Sequence, residues 1–309
     1  MEKLMEYISF IIQGIVQGLT EFLPVSSSGH LNIVQHFFGI TEDNIFLNVM
    51  LHVGTLISVC VFYHKLIARL FVAGIKIIKD IFTGKFSFKN MDDDRNLVVM
   101  LIVGLLPLFA LFIPIGNDMK LKDLADLFSG DPRFFIVTGI ALLATSALLL
   151  AGIMLDKYRT NLIEKGIAKK KERYSFLDAI VVGCVQMVAA LFPGLSRSGS
   201  TLAAGQLRGI SKQSALDYTF VLAIPSILAA AVLEFKDVIT SDVPLSVNWG
   251  AVILGMVCAA VVGYLSIALF KWLLKTDKTY VFVIYTAVAG VLVVTVSIIE
   301  MVTGNIISL

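Results

Sequence analysis

Six apolar runs, at about 46–63, 97–115, 134–154, 214–233, 248–270 and 279–302, dominate this 309-residue chain. Each is close to the roughly 20 residues that a helix needs to cross a bilayer. In hydrocarbon a backbone must satisfy its own hydrogen bonds, so such runs predict helices. The composition agrees: 57% of residues are hydrophobic and only 16% charged, with the charges gathered between the runs. A soluble domain of this length would need more charge to cover its surface. The expectation is one all-α, polytopic membrane domain over residues 1–309. Membrane lipids are its first partners, and nothing points to nucleic acid. Cys60, Cys184 and Cys258 all sit inside apolar runs without ligand spacing, so they read as small hydrophobes. The first apolar stretch has Glu2 and Glu6 ahead of it and polar residues within it, which does not read as a cleaved signal peptide.

Two further stretches, 5–38 and 176–210, are apolar at both ends and broken in the middle by Pro, Gly, Ser and a charge. The breaks are Glu21-Phe-Leu-Pro-Val-Ser-Ser-Ser-Gly-His30 and Pro193-Gly-Leu-Ser-Arg-Ser-Gly-Ser-Thr201. A broken segment of this length fits a helix pair that enters and leaves the membrane on one side. Non-helical backbone at that depth is tolerated only inside protein or beside water.

Basic residues orient the spans. The connection 64–95 carries Lys65, Arg69, Lys76, Lys79, Lys85, Lys89 and Arg95. The connection 155–175 carries Lys157, Arg159, Lys165, Lys169, Lys170, Lys171 and Arg173, and 271–278 carries Lys271, Lys275 and Lys278. By contrast, 39–45 has no Lys or Arg, 116–133 offsets three with four Asp, and 234–247 has only Lys236. The positive-inside rule places the first group in the cytoplasm and the second outside. Tracing the chain then gives two halves of opposite orientation, about 1–155 and 175–309, joined by a basic cytoplasmic loop. Each half is a re-entrant pair followed by three spans. The residues echo this: Gly14-Ile-Val-Gln17 matches Gly183-Cys-Val-Gln186, Pro24 matches Pro193, and Ser26–Gly29 matches Ser196–Gly199 with one residue of slip. Inverted-topology repeats set their broken helices face to face, where ligand sites are built.

Ionisable groups inside membrane segments are rare and functional by default. Here they fall at the breaks: Glu21 and His30 in one, Arg197 in the other. Arg offers a fork that matches phosphate oxygens. The surrounding Gly and Ser residues let backbone N–H groups point at an anion. Glu21 supplies hard oxygens suited to Mg²⁺ or Ca²⁺. The Ser26-Ser27-Ser28 run offers a nucleophile, and His30 a base or acid to serve it. Blander readings stand beside these. Gln17 and Glu21 share a helix face as a hydrogen-bonded pair, Arg197 and Glu21 form a structural ion pair, and small residues only pack helices. His52 and His64 read as packing and interfacial residues, and Glu300 as interfacial.

The stretch Gln17-Gly-Leu-Thr-Glu21-Phe-Leu-Pro-Val-Ser-Ser-Ser-Gly-His30 resembles the first signature of the bacterial undecaprenyl-diphosphatase family, also called the bacitracin-resistance family. That signature is Glu or Gln, three residues, Glu, then a Pro-Val-Ser-Ser-x-Gly-His run. Pro193-Gly-Leu-Ser196-Arg197-Ser198-Gly-Ser-Thr201 resembles its second signature, Pro-Gly-x-Ser-Arg-Ser-x-x-Thr. The resemblance implies hydrolysis of undecaprenyl diphosphate to undecaprenyl phosphate and phosphate on the outer side of the cytoplasmic membrane. That reaction recycles the carrier for cell-wall polymers, and overproduction confers bacitracin resistance. It also implies that Glu21 and Gln17 lie at a divalent metal and the diphosphate. Ser27 and His30 would do the phosphoryl chemistry, with a phosphohistidine on His30 as the rival to a phosphoserine on Ser27. Ser26, Ser196, Arg197, Ser198 and Thr201 would bind phosphate. A second copy of the chain is a candidate partner. The alternative from another class is a polyprenyl-phosphate or small-anion carrier, which needs the binding groups but no nucleophile.

Overall fold

The computed structural model describes residues 2–38, 45–116, 119–130, 132–240 and 248–306. Of the connections expected outside, 39–44 and 241–247 fall beyond them. The described chain is almost wholly helical: α1 (Glu2–Phe22), α2 (Ser27–Phe38), α3 (Ile45–Phe62), α4 (His64–Phe82), α5 (Asp93–Leu105), α6 (Asp123–Gly130), α7 (Phe135–Glu164), α8 (Phe176–Leu191), α9 (Arg197–Leu207), α10 (Lys212–Thr240), α11 (Trp249–Lys275) and α12 (Tyr280–Thr303). Five stretches are long and apolar enough to cross a bilayer, starting at Asp93, Phe135, Lys212, Trp249 and Tyr280. A sixth follows if α3 and α4 are counted as one bent span. This is a multi-pass membrane protein.

The bend between α3 and α4 is 83°. It falls at Tyr63, whose φ and ψ of −99° and 17° leave the helical region. Residues 64–82, expected to be a basic connection, instead form a helix that buries Leu70, Ala73 and Ile77 at helical spacing. Its other side exposes Phe71, Val72, Ile75, Ile78 and Phe82 beside Lys76 and Lys79. That mixture suits a helix lying along a membrane surface.

The expected span 97–115 is α-helical only to Leu105. Pro107 has no N–H to give to Val103 O, so the α-helical ladder stops there; Leu106 N–H takes Val103 O instead, and residues Leu106–Phe112 tighten into a 3-10 helix. A short antiparallel ribbon joins Pro114–Gly116 to Met119–Lys120. In α10, Pro225 lies inside the helix, and the next residue, Ser226, bonds its hydroxyl to Leu222 O at 2.9 Å.

Glycines set two close helix contacts. A Cβ on Gly14 of α1 would lie 2.3 Å from Gly255 O of α11, and one on Gly183 of α8 would lie 2.3 Å from Gly104 O of α5. Beside the first contact, rings knit α1 to the later helices. Phe22, Phe220, Phe270 and Phe282 meet edge to face in sequence, with centroids 5.7, 5.9 and 5.3 Å apart. Each such pair adds roughly 0.5–1.5 kcal/mol beyond its buried area. Phe22 adjoins Glu21, so this aromatic string fixes the end of α1 at the first break.

The second pair, α8 and α9, closes on itself. Asp178, fully buried in the first turn of α8, accepts Arg208 Nε at 2.9 Å just past the end of α9 and Lys171 Nζ at 2.6 Å. The same carboxylate completes a capping box with Ser175. The start of α8 and the end of α9 therefore lie together, beside basic residues.

Candidate functional site

The two breaks meet. A Cβ on Gly29 would come within 2.8 Å of Gly194 Cα, and one on Gly199 within 3.0 Å of Pro24 Cβ. Ser198 Oγ crosses from one to the other, donating to Leu23 O at 3.1 Å. Each break ends in a helix start with the same local chemistry. Ser26 Oγ accepts Gly29 N–H at 3.2 Å and lies 3.3 Å from Ser28 Oγ. Ser196 Oγ accepts Gly199 N–H at 3.1 Å and lies 3.3 Å from Ser198 Oγ. These are N-cap bonds, and they leave Ser27 and Arg197 as the first residues of α2 and α9, where unpaired backbone N–H groups favour an anion. Ser26 holds a φ of 72°, a strained conformation for a residue with a Cβ, of the kind found at functional turns.

Glu21 is the hub. It is buried, at 7% exposure. Its Oε2 accepts Ser27 Oγ at 2.9 Å and Gln17 Nε2 at 3.1 Å. Its Oε1 takes the guanidinium of Arg197, a partner 176 positions away. The guanidinium has further N–H donors left for a second acceptor. Glu21, Ser26, Ser27, Ser28, Ser196, Arg197 and Ser198 line a cavity of about 320 Å³. The rest of its lining is mostly apolar, with Leu108, Leu111 and Phe112 after α5, Ala189 and Ala190 of α8, and Ile227, Ala230 and Leu233 of α10.

Three expected residues are not on this cavity. The ring of His30 turns away: its Nδ1–H donates to Ser26 O at 2.7 Å, and its Nε2 accepts from Tyr285 O–H of α12 at 2.5 Å. Both ring nitrogens are thus occupied, and the hydroxyl of Ser27 goes to Glu21 rather than to His30. Thr201 is buried at 1% exposure and spends its hydroxyl on Arg197 O at 2.8 Å, inside its own helix. Gln17 stands behind Glu21, off the wall, with its amide N–H committed to the carboxylate.

The structure also adds residues. His52, expected to be a packing residue, is on the wall; its Nδ1–H donates to Asn48 O at 2.9 Å, which leaves Nε2 as the acceptor. Gln186 and Ser226 are on the wall as well. The sequence held a signal for Gln186, its match to Gln17, but none for Ser226. Glu300, read as interfacial, pairs with buried His36 at 2.8 Å.

For a divalent cation the protein donors are few. Among the described residues no group of three or more His, Cys, Asp or Glu could hold one, and Glu21 is the only carboxylate on the wall. The donor set fits Mg²⁺ or Ca²⁺ only as a shared ion, with a phosphorylated ligand completing the oxygen shell.

The profile of the family described as bacitracin resistance protein BacA matches residues 10–292. A protein of Alkaliphilus metalliredigens named undecaprenyl-diphosphatase is 38% identical over 290 residues, which covers 92% of this chain and 96% of that protein. One from Methanosphaera stadtmanae with the same name is 33% identical over 300 residues, covering 96% and 100%. Bacillus thuringiensis contributes undecaprenyl-diphosphatase 4, 33% identical over 291 residues, covering 94% and 97%.

Proposed function

The chain belongs to the bacitracin resistance protein BacA family, and from that premise we infer that it is an undecaprenyl-diphosphatase. It removes the terminal phosphate of undecaprenyl diphosphate and leaves undecaprenyl phosphate. One observation carries the reading: a buried carboxylate holds both a serine and an arginine in the lining of a cavity that is otherwise mostly apolar. The polar lining suits the diphosphate and the apolar lining the start of the isoprenoid chain.

Ser27 is the nucleophile and Glu21 its proton acceptor. As Ser27 Oγ attacks the terminal phosphorus, its proton passes to Glu21 Oε2 and the bond from phosphorus to the bridging oxygen breaks. The electron pair leaves with undecaprenyl phosphate. Arg197 and the N-terminal N–H groups of α2 and α9 stabilise the charge on the transferring phosphoryl group. Water then attacks the phosphoserine, Ser27 Oγ recovers a proton through Glu21, and phosphate departs. A divalent cation bound with the diphosphate would touch Glu21 and supply charge neutralisation. His30 positions this machinery rather than serving as its proton partner, because its ring ties the Ser26 turn to Tyr285. A carrier would need no base beside a serine, so the Ser27–Glu21 bond favours the enzyme.

The fold is a pair of inverted repeats whose broken segments, α1–α2 and α8–α9, are re-entrant. Two correspondences and one further contact support this. The matched glycines Gly14 and Gly183 make the same backbone contact with the other half. The two serine caps repeat. The ends of α8–α9 meet at Asp178 on the basic side. The protein sits in the cytoplasmic membrane, with its basic connections inside and the cavity facing outward. Release of phosphate from C55 diphosphate by the detergent-purified protein, lost in Arg197→Ala, tests the function. Unchanged turnover in that variant would remove Arg197 and this cavity from the reaction.

A further inference from the structure

Gln186 is almost wholly buried, at 1% exposure, and stands on the cavity wall. Its Nε2 has no hydrogen-bond partner among the described residues. The nearest hydroxyl, Ser226 Oγ, lies 3.4 Å from Gln186 Oε1 and bonds more closely to Leu222 O. An amide carries two N–H donors, and one hydroxyl can take at most one of them. At least one donor is therefore left over in either orientation of the amide. A buried donor without an acceptor is costly, and where it persists it calls for an explanation.

The matched segment shows what is missing. In α1, Gln17 gives its N–H to Glu21, one helical turn on. In α8 the residue one turn after Gln186 is Ala190. The second segment has the amide but no carboxylate one turn on, and Ala190, which stands there, lines the cavity. An anionic oxygen from the ligand would restore the acceptor. The position says which oxygen. Arg197, Ser27 and Glu21 are bonded to one another, while Gln186 stands apart from them beside Ser226, on the wall that α8 and α10 build with Ala189, Ala190 and Ile227. The phosphate nearer this apolar wall is the one that carries the lipid.

We propose that Gln186 donates a hydrogen bond to the lipid-linked phosphate of the diphosphate, the group that leaves, with Ser226 beside it. Gln186 then reads the second phosphate, while Arg197 and Ser27 handle the first. This rests on the reading of the cavity given above and deepens it.

Product inhibition of the full-length enzyme in detergent separates the two subsites. Undecaprenyl phosphate occupies the leaving-group subsite and inorganic phosphate the terminal one. Gln186→Met keeps the length of the side chain and removes the donors. It should raise the inhibition constant for undecaprenyl phosphate about tenfold or more and raise KM for the diphosphate, with inhibition by inorganic phosphate unchanged. Unchanged phosphate inhibition also shows that the variant is folded. Gln186→Glu, which adds repulsion, should weaken undecaprenyl phosphate further. Loss of inhibition by both products alike, by inorganic phosphate alone, or by neither in Gln186→Met would overturn the assignment. Arg197→Lys is the separate control on the underlying reading. It should weaken inorganic phosphate, and if it leaves that inhibition and turnover intact, the cavity itself has been misread, whatever Gln186 does.

Discussion

Ser27 donates its hydroxyl hydrogen to Glu21 at 2.9 Å, and no other acidic or imidazole group on the cavity wall takes it. The bond aims Ser27 Oγ and gives its proton a destination. Glu21→Gln keeps an acceptor but not a base, and it should lower kcat by about 10²–10⁴. Ser27→Ala should fall to background. His30→Gln should lose less than either, because His30 bonds Ser26 O and Tyr285 instead. Rapid quench with substrate labelled on the terminal phosphate should trap an acid-stable phosphoserine. An acid-labile adduct, or substantial turnover by Ser27→Ala, sinks the serine assignment.

Arg197 meets Glu21 through its guanidinium and keeps donors for a second acceptor, which in the proposed reaction is the phosphate. Lysine preserves the charge but has no planar fork. Arg197→Lys should lose about 10²–10³ in kcat, while the protein still inserts and elutes as the parent does. Near-normal turnover would show that charge alone suffices.

A cation shared between Glu21 and the diphosphate predicts substrate-dependent metal use. Excess chelator should abolish phosphate release, and Mg²⁺ or Ca²⁺ should restore it. Because the described residues supply one wall carboxylate, metal binding without substrate should be weak by calorimetry. Full activity in excess chelator disposes of the metal.

The close contacts of Gly14 and Gly183 carry a stability prediction. Alanine at either would press its Cβ to 2.3 Å from a facing backbone carbonyl, and backbone cannot swing aside as a side chain can. Each should cost about 1–3 kcal/mol, read as an earlier thermal unfolding midpoint. Among the described residues nothing lies within 4 Å of a Cβ added at Gly74, so Gly74→Ala should be neutral or slightly stabilising. Equal midpoints for all three variants would refute the packing argument.

Much of this was legible in the residues. Long apolar runs have one answer in hydrocarbon, so the helices could be read directly. Two broken segments carrying Glu21 and Arg197 could lower the cost of those charges by meeting, and they do. What escaped was side-chain direction. Ser27 and His30 are near in sequence, but the turn at Ser26 points them to different sides, and no local spacing encodes that. His52 shares the wall only because α3 packs beside the first break, a tertiary fact. Helix α4 was readable in principle, since Leu70, Ala73 and Ile77 keep a helical period, but its lysines made it look like a loop.

The last prediction concerns orientation. The basic connections 155–175 and 271–278 and the basic helix α4 should face the cytoplasm, and the acidic segment containing α6 should face outward. In a version with Cys60, Cys184 and Cys258 replaced by alanine, a single cysteine can be placed at Lys122 or at Lys165. An impermeant thiol reagent added to intact cells should modify Lys122→Cys and spare Lys165→Cys, and permeabilised cells should label both. The cavity must open on the Lys122 side if the enzyme is to meet diphosphate released outside. Labelling of Lys165→Cys in intact cells would reverse the orientation and with it the outward site, while leaving the chemistry of Ser27, Glu21 and Arg197 untouched.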